Sequence, residues 1–274
     1  MNIALFLNRD IYCSVALNHL VAGLAEHRTS VFYSDKVGRA PAVEALDVLR
    51  LIEQDIPHEH VFPFIESGGE LLTPQLIERQ HRIPCESMNA PNEPVALDRL
   101  RALECDLVVS IRYGCIFKAD FLSIPSLGVL NLHSGILPDY RGVMASFHAL
   151  AAGAPEIGCT LHYIDDPTID TGPIIDEWRR PADPSQSYFG HVLSLYEPGA
   201  RLVADAIARL TKGEELASAP QSRDAGAYFS FPDDEDVVRF EHKGYRLFHA
   251  SEYRDLLRRY HGARGSRRAT SSAG

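Results

Sequence analysis

Residues 2–33 read NIALFLNRDIYCSVALNHLVAGLAEHRTSVFY, and this stretch decides the fold. Asn2–Asn8 (NIALFLN) is an apolar run of strand length, followed by apolar residues at helical spacing through Leu17, Leu20, Val21 and Leu24. Thr29–Tyr33 then returns to a strand pattern. Strand, helix and strand make a βαβ opening. Such units build parallel sheets buried on both faces, with ligands gathering beyond the carboxyl ends of the strands. No G-x-G-x-x-G follows the first strand, so a dinucleotide is not indicated, and the layering alone assigns no function.

Further along, a helix is expected over Ala42–Gln54, then a Pro-punctuated stretch (HEHVFPFIESGG, 58–69) and a helix over Pro74–Gln80. Pro94–Leu103 reads as a helix, Asp106–Ile111 (DLVVSI) as a buried strand and Gly128–Leu132 (GVLNL) as another short apolar run. The fold class is α/β: a Rossmann-like, mostly parallel twisted sheet flanked by helices, with a small C-terminal α+β extension. The expected division is a catalytic domain over 1–210, a small subdomain over 211–261 and a disordered tail over 262–274.

Composition limits the function classes. The 274 residues are 45% hydrophobic and 23% charged, as in an ordinary globular protein. The first thirty residues lack the basic start, apolar stretch and cleavage site of a signal peptide, and no apolar run approaches the ~20 residues that span a bilayer. A cytoplasmic protein without a membrane partner is expected. Cys13, Cys85, Cys105, Cys115 and Cys159 contain no CxxC pair, which suggests reduced thiols rather than zinc or disulfides. His58 and His60 lack the carboxylates or cysteines that would complete a metal shell, so no metal is expected. The formal charge of −10 disfavours nucleic acid, whose affinity rests on excess Lys and Arg. Residues 254–268 (RDLLRRYHGARGSRR) are basic but run into a Ser/Ala/Gly terminus, and are read as a solvated tail.

Two segments carry chemistry. In Asn131–Gly142 (NLHSGILPDYRG) an apolar strand ends in Asn131 and His133, which period-2 alternation turns to one face, and a loop closed by Pro138 and Gly142 follows. A histidine can move protons at neutral pH, and a fixed amide can donate to a developing oxyanion. Alone, such a pair is more often structural than catalytic. The second segment, Gly158–Ile175 (GCTLHYIDDPTIDTGPII), runs from an alternating strand through an acidic loop into Asp170-Thr171-Gly172. Asp170 is suited to orient or electrostatically support the histidine.

With both in view, the sequence resembles the folate-dependent formyltransferases, the family of glycinamide ribonucleotide transformylase and methionyl-tRNA formyltransferase. The matching parts are Asn131 and His133, Leu137-Pro138, Tyr140-Arg141-Gly142 and Asp170-Thr171-Gly172. Ser134-Gly135 stands where many relatives have Pro-Ser, and the loop before Asp170 is one residue longer than usual. The resemblance covers roughly Met1 to Leu210. It implies 10-formyltetrahydrofolate as co-substrate and a primary amine as nucleophile. Asn131 would bond the oxyanion, His133 would handle protons or stabilise that charge, and Asp170 would set the histidine's state and relay the amine proton through water.

By position, Ile111, Arg112, Tyr113, Gly114 and Ile116 would line the folate pocket, with Asp165 and Asp166 carried alongside them although both also read as turn residues. Tyr140, Arg141, Gly142 and His162 are candidates for substrate binding. Arg141 pairs equally well with a substrate anion or its own loop, and His148 reads as structural. Tyr228-Phe229-Ser230-Phe231-Pro232 is read as an acceptor cover, a subunit contact in a homodimer or ordinary packing.

The expected acceptor is a small-molecule amine, foremost a nucleotide-linked amino sugar. The alternatives are an amino acid-derived siderophore precursor, hydrolysis of 10-formyltetrahydrofolate, tRNA formylation and folate binding without catalysis. Only roughly sixty residues follow Leu210, where the tRNA enzymes carry a larger basic domain. The chain starts directly at the first core strand, where the hydrolases carry a regulatory domain. The intact Asn/His/Asp set argues against a non-catalytic protein.

Overall fold

The computed structural model describes residues 1–35, 43–222 and 224–261. The chain opens as read: β1 (Asn2–Asn8), α1 (Ile11–Leu20) and β2 (Arg28–Ser34). Asp10 caps α1 by accepting the Cys13 N–H at 2.8 Å. After α2 (Glu44–Arg50), the helix expected over Ala42–Gln54 does not stop at Gln54. It widens into a π-type stretch over Leu51–Val61 that includes Pro57, and the Phe62 N–H reaches back five residues to the Pro57 carbonyl. Ala42 lies outside the described residues.

The middle of the chain supplies α3 (Pro74–His81), β3 (Cys85–Ser87), α4 (Pro94–Ala102), β4 (Leu107–Ile111), α5 (Ala119–Leu122), β5 (Val129–His133), β6 (Tyr140–Gly142) and α6 (Ala145–Ala152). β7 (Glu156–Tyr163), β8 (Ile174–Pro181), α7 (Tyr188–Thr211), β9 (Ala227–Phe229), α8 (Asp234–His242) and α9 (Ala250–Tyr260) complete it. Among the described residues, seven strands form one sheet in the order β3-β2-β1-β4-β5-β7-β8. β1 to β5 pair parallel within it, and β7 and β8 add an antiparallel edge.

Strand alternation divides the core. Ile3, Leu5 and Leu7 of β1 join the larger cluster with α1 and α7, while Ala4 and Phe6 face a second cluster with α4 and α5. Phe6 is its hub, with Phe32, Tyr113, Phe117 and Phe121 rings 5.0 to 5.3 Å away. No described helix is long and apolar enough to cross a membrane.

The residues after Leu210 share the larger core. Val237, Phe240, Leu247, Leu256 and Tyr260 are buried in the cluster that holds β1 and α7, and β9 pairs in parallel with β6. Part of the basic stretch read as a solvated tail is α9, anchored by buried Leu256 and Tyr260. The Tyr260 ring packs on Phe62 at 4.8 Å, a contact that requires order where the charge pattern suggested solvation. The rest of that stretch, and the expected tail at 262–274, lie outside the described residues.

A buried ionic network sits where β1 and β4 end. Arg112 Nε donates to Asp10 Oδ2 at 2.7 Å, and Nη2 lies 3.4 Å from Glu53 Oε2. The Tyr12 hydroxyl donates to Glu53 Oε1 at 2.8 Å, and the guanidinium lies over the Tyr12 ring at 4.7 Å. Burial pushes the Glu53 carboxyl up to about 7 against the downward pull of Arg112. Asp10 has no exposure, so removing its cation strands a buried charge. Arg112→Leu is therefore expected to lower the unfolding free energy by about 3–5 kcal/mol, read from urea denaturation at neutral pH; a loss within 0.5 kcal/mol, about the scatter of a surface substitution, would refute this role.

Candidate active site

The antiparallel pairing of β5 with β7 sets Asn131 directly opposite His162. His162 Nδ1 lies 2.8 Å from the Tyr163 carbonyl, which can only accept, so this nitrogen carries the proton. Nε2 lies 3.0 Å from Asn131 Nδ2. Two residues along β5, on the same face, His133 Nε2 donates to the Tyr140 carbonyl at 2.8 Å.

Asp170 enters from the loop between β7 and β8 and joins these groups. Its Oδ2 accepts the Gly142 N–H at 2.8 Å and lies 3.4 Å from His133 Nδ1. Its Oδ1 lies 3.4 Å from Asn131 Nδ2 and 3.5 Å from His162 Nε2. The side chain is 9% exposed. Burial alone would raise its carboxyl, but His133, His162 and the Gly142 N–H outweigh that and hold it near pKa 2. The longer loop thus delivers Asp170 to His133. An acceptor thus stands beside each ring nitrogen of His133.

Two glycines give the site its closeness. Gly142 has φ +94°, and a Cβ there would fall 2.1 Å from the Phe229 carbonyl of β9. At Gly135, the departure from the family pattern, a Cβ would lie 2.6 Å from His133 Nε2 and 2.5 Å from the Ala145 Cβ. Glycine here lets the ring close on Tyr140.

The proposed folate residues follow β4 at the neighbouring carboxyl end. Ile111 is core, and the Tyr113 ring packs 5.1 Å from Phe6 while its hydroxyl donates to the Met88 carbonyl. Arg112 has φ 54° and turns its guanidinium inward to Asp10, so its charge is not directed at a ligand. The Gly114 N–H donates to Ser34 Oγ at 3.1 Å, and Ile116 is 52% exposed. Asp165 is exposed in its loop, and Asp166 accepts the Thr168 N–H at 2.7 Å within the same turn. Tyr140 stacks on Phe229 at 5.7 Å, whereas Arg141 is buried and donates to Gln221 Oε1 at 3.2 Å and the Ser222 carbonyl at 3.0 Å. That is the loop-pinning alternative for Arg141. His148 Nε2 donates to the Ser230 carbonyl at 3.0 Å.

Sequence reasoning missed Gln221, which lies in a stretch read as linker. Its Nε2 donates to the Asp170 and Gly172 carbonyls at 3.0 and 2.7 Å. No periodicity or motif marks it. A cavity of about 540 Å³ opens far from this chemistry, at the amino ends of β1 and β2, lined by Asn2, Arg28 and Glu104 among others. Ligands of parallel sheets gather at the opposite, carboxyl ends, where the Asn131, His133 and Asp170 cluster sits. Among the described residues no group of His, Cys, Asp and Glu is arranged to hold a metal.

Residues 72–191 match the family model for formyl transferase. That stretch, under half of the chain, is similar to the formyltransferase family. The match spans β5, β7 and the loop bearing Asp170, so the family's characteristic stretch and the polar cluster coincide. A methionyl-tRNA formyltransferase from Burkholderia ambifaria is 32% identical over 164 residues, covering 60% of this chain and 48% of that protein. The chain thus spans about half the length of the methionyl-tRNA formyltransferases it matches. Among solved structures, glycinamide ribonucleotide transformylase 1 from Symbiobacterium toebii superposes with TM-score 0.55 at 19% identity, over 80% of this chain and 94% of that one. An N-formyltransferase from Helicobacter canadensis, in complex with folinic acid and dTDP-3-aminofucose, gives 0.54 at 18% identity over 85% and 71%. These two likenesses show the formyltransferase fold.

The depressed Asp170 carboxyl fixes a pH dependence. A group lowered from 3.8 to about 2 contributes stability that is present above the unfolded value and lost as pH falls through the folded one. At pH 6, Asp170→Asn is expected to be less stable than the wild type by about 2 kcal/mol, with the gap narrowing as pH falls from 4 toward 2 in urea titrations; a pH-independent gap would contradict the charge-based account. Gly135→Ser, which restores the family's side chain there, is expected to cost about 1–3 kcal/mol by overpacking, and a variant as stable as wild type would show that the ring has room to move.

Proposed function

We propose that the chain transfers a formyl group from 10-formyltetrahydrofolate to a primary amine of a small-molecule acceptor, foremost a nucleotide-linked amino sugar. The single observation carrying this reading is the convergence of Asn131, His133 and Asp170 from separate segments onto one polar cluster. The solved relatives lend weight to the donor and acceptor, since the Helicobacter canadensis structure holds folinic acid with an amino-sugar nucleotide.

In the proposed reaction the amine nitrogen attacks the formyl carbon, and the carbonyl electron pair moves onto its oxygen. Asn131 Nδ2 donates to that oxyanion by exchanging its longer, 3.4 Å contact with Asp170. His133, held between Asp170 Oδ2 and the Tyr140 carbonyl, supplies positive charge beside it. The amine proton passes through water near Asp170 to the folate N10, the carbon–N10 bond breaks, and the products are a formamide and tetrahydrofolate. Ile111, Arg112, Tyr113, Gly114 and Ile116 serve the folate through backbone and apolar contacts, with Arg112 bracing that loop from within. Asp165 and Asp166 lie in the loop leading to Asp170, at the folate side. Tyr140, Gly142 and His162 shape the acceptor side, with Arg141 fixing the loop between them.

A second reading, formylation of methionyl-tRNA, is favoured by the identity to those enzymes. The net charge of −10 weighs against a polyanionic acceptor. A soluble cytoplasmic setting and a homodimer fit the small-acceptor reading.

The experiment is to follow loss of the formyl group from 10-formyltetrahydrofolate with amino-sugar nucleotides, hydroxylamines, charged tRNA or no acceptor. Transfer to an amino-sugar nucleotide is expected, with His133→Ala slower by about 10²-fold or more. Equal turnover without any amine would assign a hydrolase, and full transfer by His133→Ala would overturn the mechanism.

A further inference from the structure

The segment between α7 and β9 returns to the polar cluster. Ala219 and Ile174 exchange backbone hydrogen bonds, Ile174 N–H to Ala219 O at 2.8 Å and Ala219 N–H to Ile174 O at 2.7 Å. Two residues on, Gln221 reaches between the loops that meet at Asp170. Its amide has two protons, and the Asp170 and Gly172 carbonyls take them at 3.0 and 2.7 Å. Its Oε1 accepts from Arg141 Nη2 at 3.2 Å. Arg141 precedes Gly142, whose N–H holds the Asp170 carboxylate at 2.8 Å. One side chain therefore binds the backbone that carries the acid and the residue beside the donor that receives it.

The backbone at Asp170 needs such a hold. Asp170 has φ 55°, a left-handed conformation that non-glycine residues adopt at a cost and keep only where surrounding contacts over-determine them. Carbonyls pinned at Asp170 and Gly172 fix the orientation of the Asp170–Thr171 and Gly172–Pro173 peptides. The side chain's aim at His133 follows from that orientation.

We propose that Gln221 is a positioning residue that fixes the Asp170 carboxylate against Gly142 and His133, so that the acid's placement depends on the segment after α7. The inference rests on the formyl-transfer reading for its kinetic effect alone. A displacement of about 1 Å in a catalytic group can cost on the order of 10²-fold in rate. Gln221→Leu removes both donors at similar volume. Gln221→Glu keeps an acceptor for Arg141 but sets a carboxylate against the two carbonyls.

The test uses the full-length protein in two parallel measurements. The first is the Gly142 amide proton by NMR, which reports the bond to Asp170 without reference to activity. The second is amine-dependent formyl transfer with kcat and KM separated. Both variants are expected to shift the Gly142 resonance and speed its hydrogen exchange, and to lower kcat by about 10- to 100-fold with KM within about threefold of wild type, while circular dichroism stays native. A purely structural link through Arg141 predicts instead that Gln221→Glu restores both, which would overturn the proposal. An unmoved Gly142 amide, or an unchanged kcat with a moved amide, would overturn it as well. Should the wild type transfer no formyl group to any amine, the functional reading fails and the amide measurement alone decides the placement of Asp170. If neither variant folds, Gln221→Asn, one methylene short of the carbonyls, is read by the same criteria.

Discussion

A buried carboxylate must be surrounded by positive charge and donors or take up a proton, and Asp170 satisfies that constraint through three strands at once. Its oxygens meet Asn131 and His133 from β5, His162 from β7 and the Gly142 N–H from β6. Each contact is modest alone. Together they hold the carboxyl near pKa 2 despite burial, and the same contacts set the orientation of both imidazoles. The antiparallel turn of β7 against β5 matters for this reason: it brings His162 opposite Asn131 and starts the loop that brings the acid back.

The carboxyl edge of the sheet carries a second buried acid, and the contrast is instructive. Asp10 is paired with Arg112, a permanently charged guanidinium backed by Glu53 and Tyr12. Such a pair braces strand ends but offers no proton to exchange. Asp170 is paired with imidazoles, whose charge follows their surroundings. Two buried acids at one edge thus divide the work, the first fixing β1 against β4 and the second organising a centre suited to acyl transfer.

Much of this was legible in the residues. The βαβ opening, the helices at Pro74 and Pro94 and the strand ending in Asn131 and His133 follow from periodicity and punctuation, because each is a local consequence of side-chain spacing. The Asn131, His133 and Asp170 set was legible because its spacing matched a known family, although their convergence depends on a register that no local pattern specifies. Three features escaped. The π-type stretch through Pro57 is held by burial of Glu53 against Tyr12 and Arg112, partners far away in sequence. The basic residues of α9 resemble a tail in composition, yet Leu256 and Tyr260 bury its inner face. Gln221 sits in a polar stretch like any linker, and only its position under Asp170 distinguishes it. Long-range contact, polar or apolar, was the common obstacle.

The central claim is that the charge on Asp170 organises a formyl-transfer site. The most direct measurement is the single-turnover rate of amine-dependent formyl transfer by Asp170→Asn, which nearly preserves shape and removes the charge. With native circular dichroism at neutral pH, the rate is expected to fall by about 10²-fold or more. A variant that transfers formyl within about twofold of the wild-type rate would contradict the account.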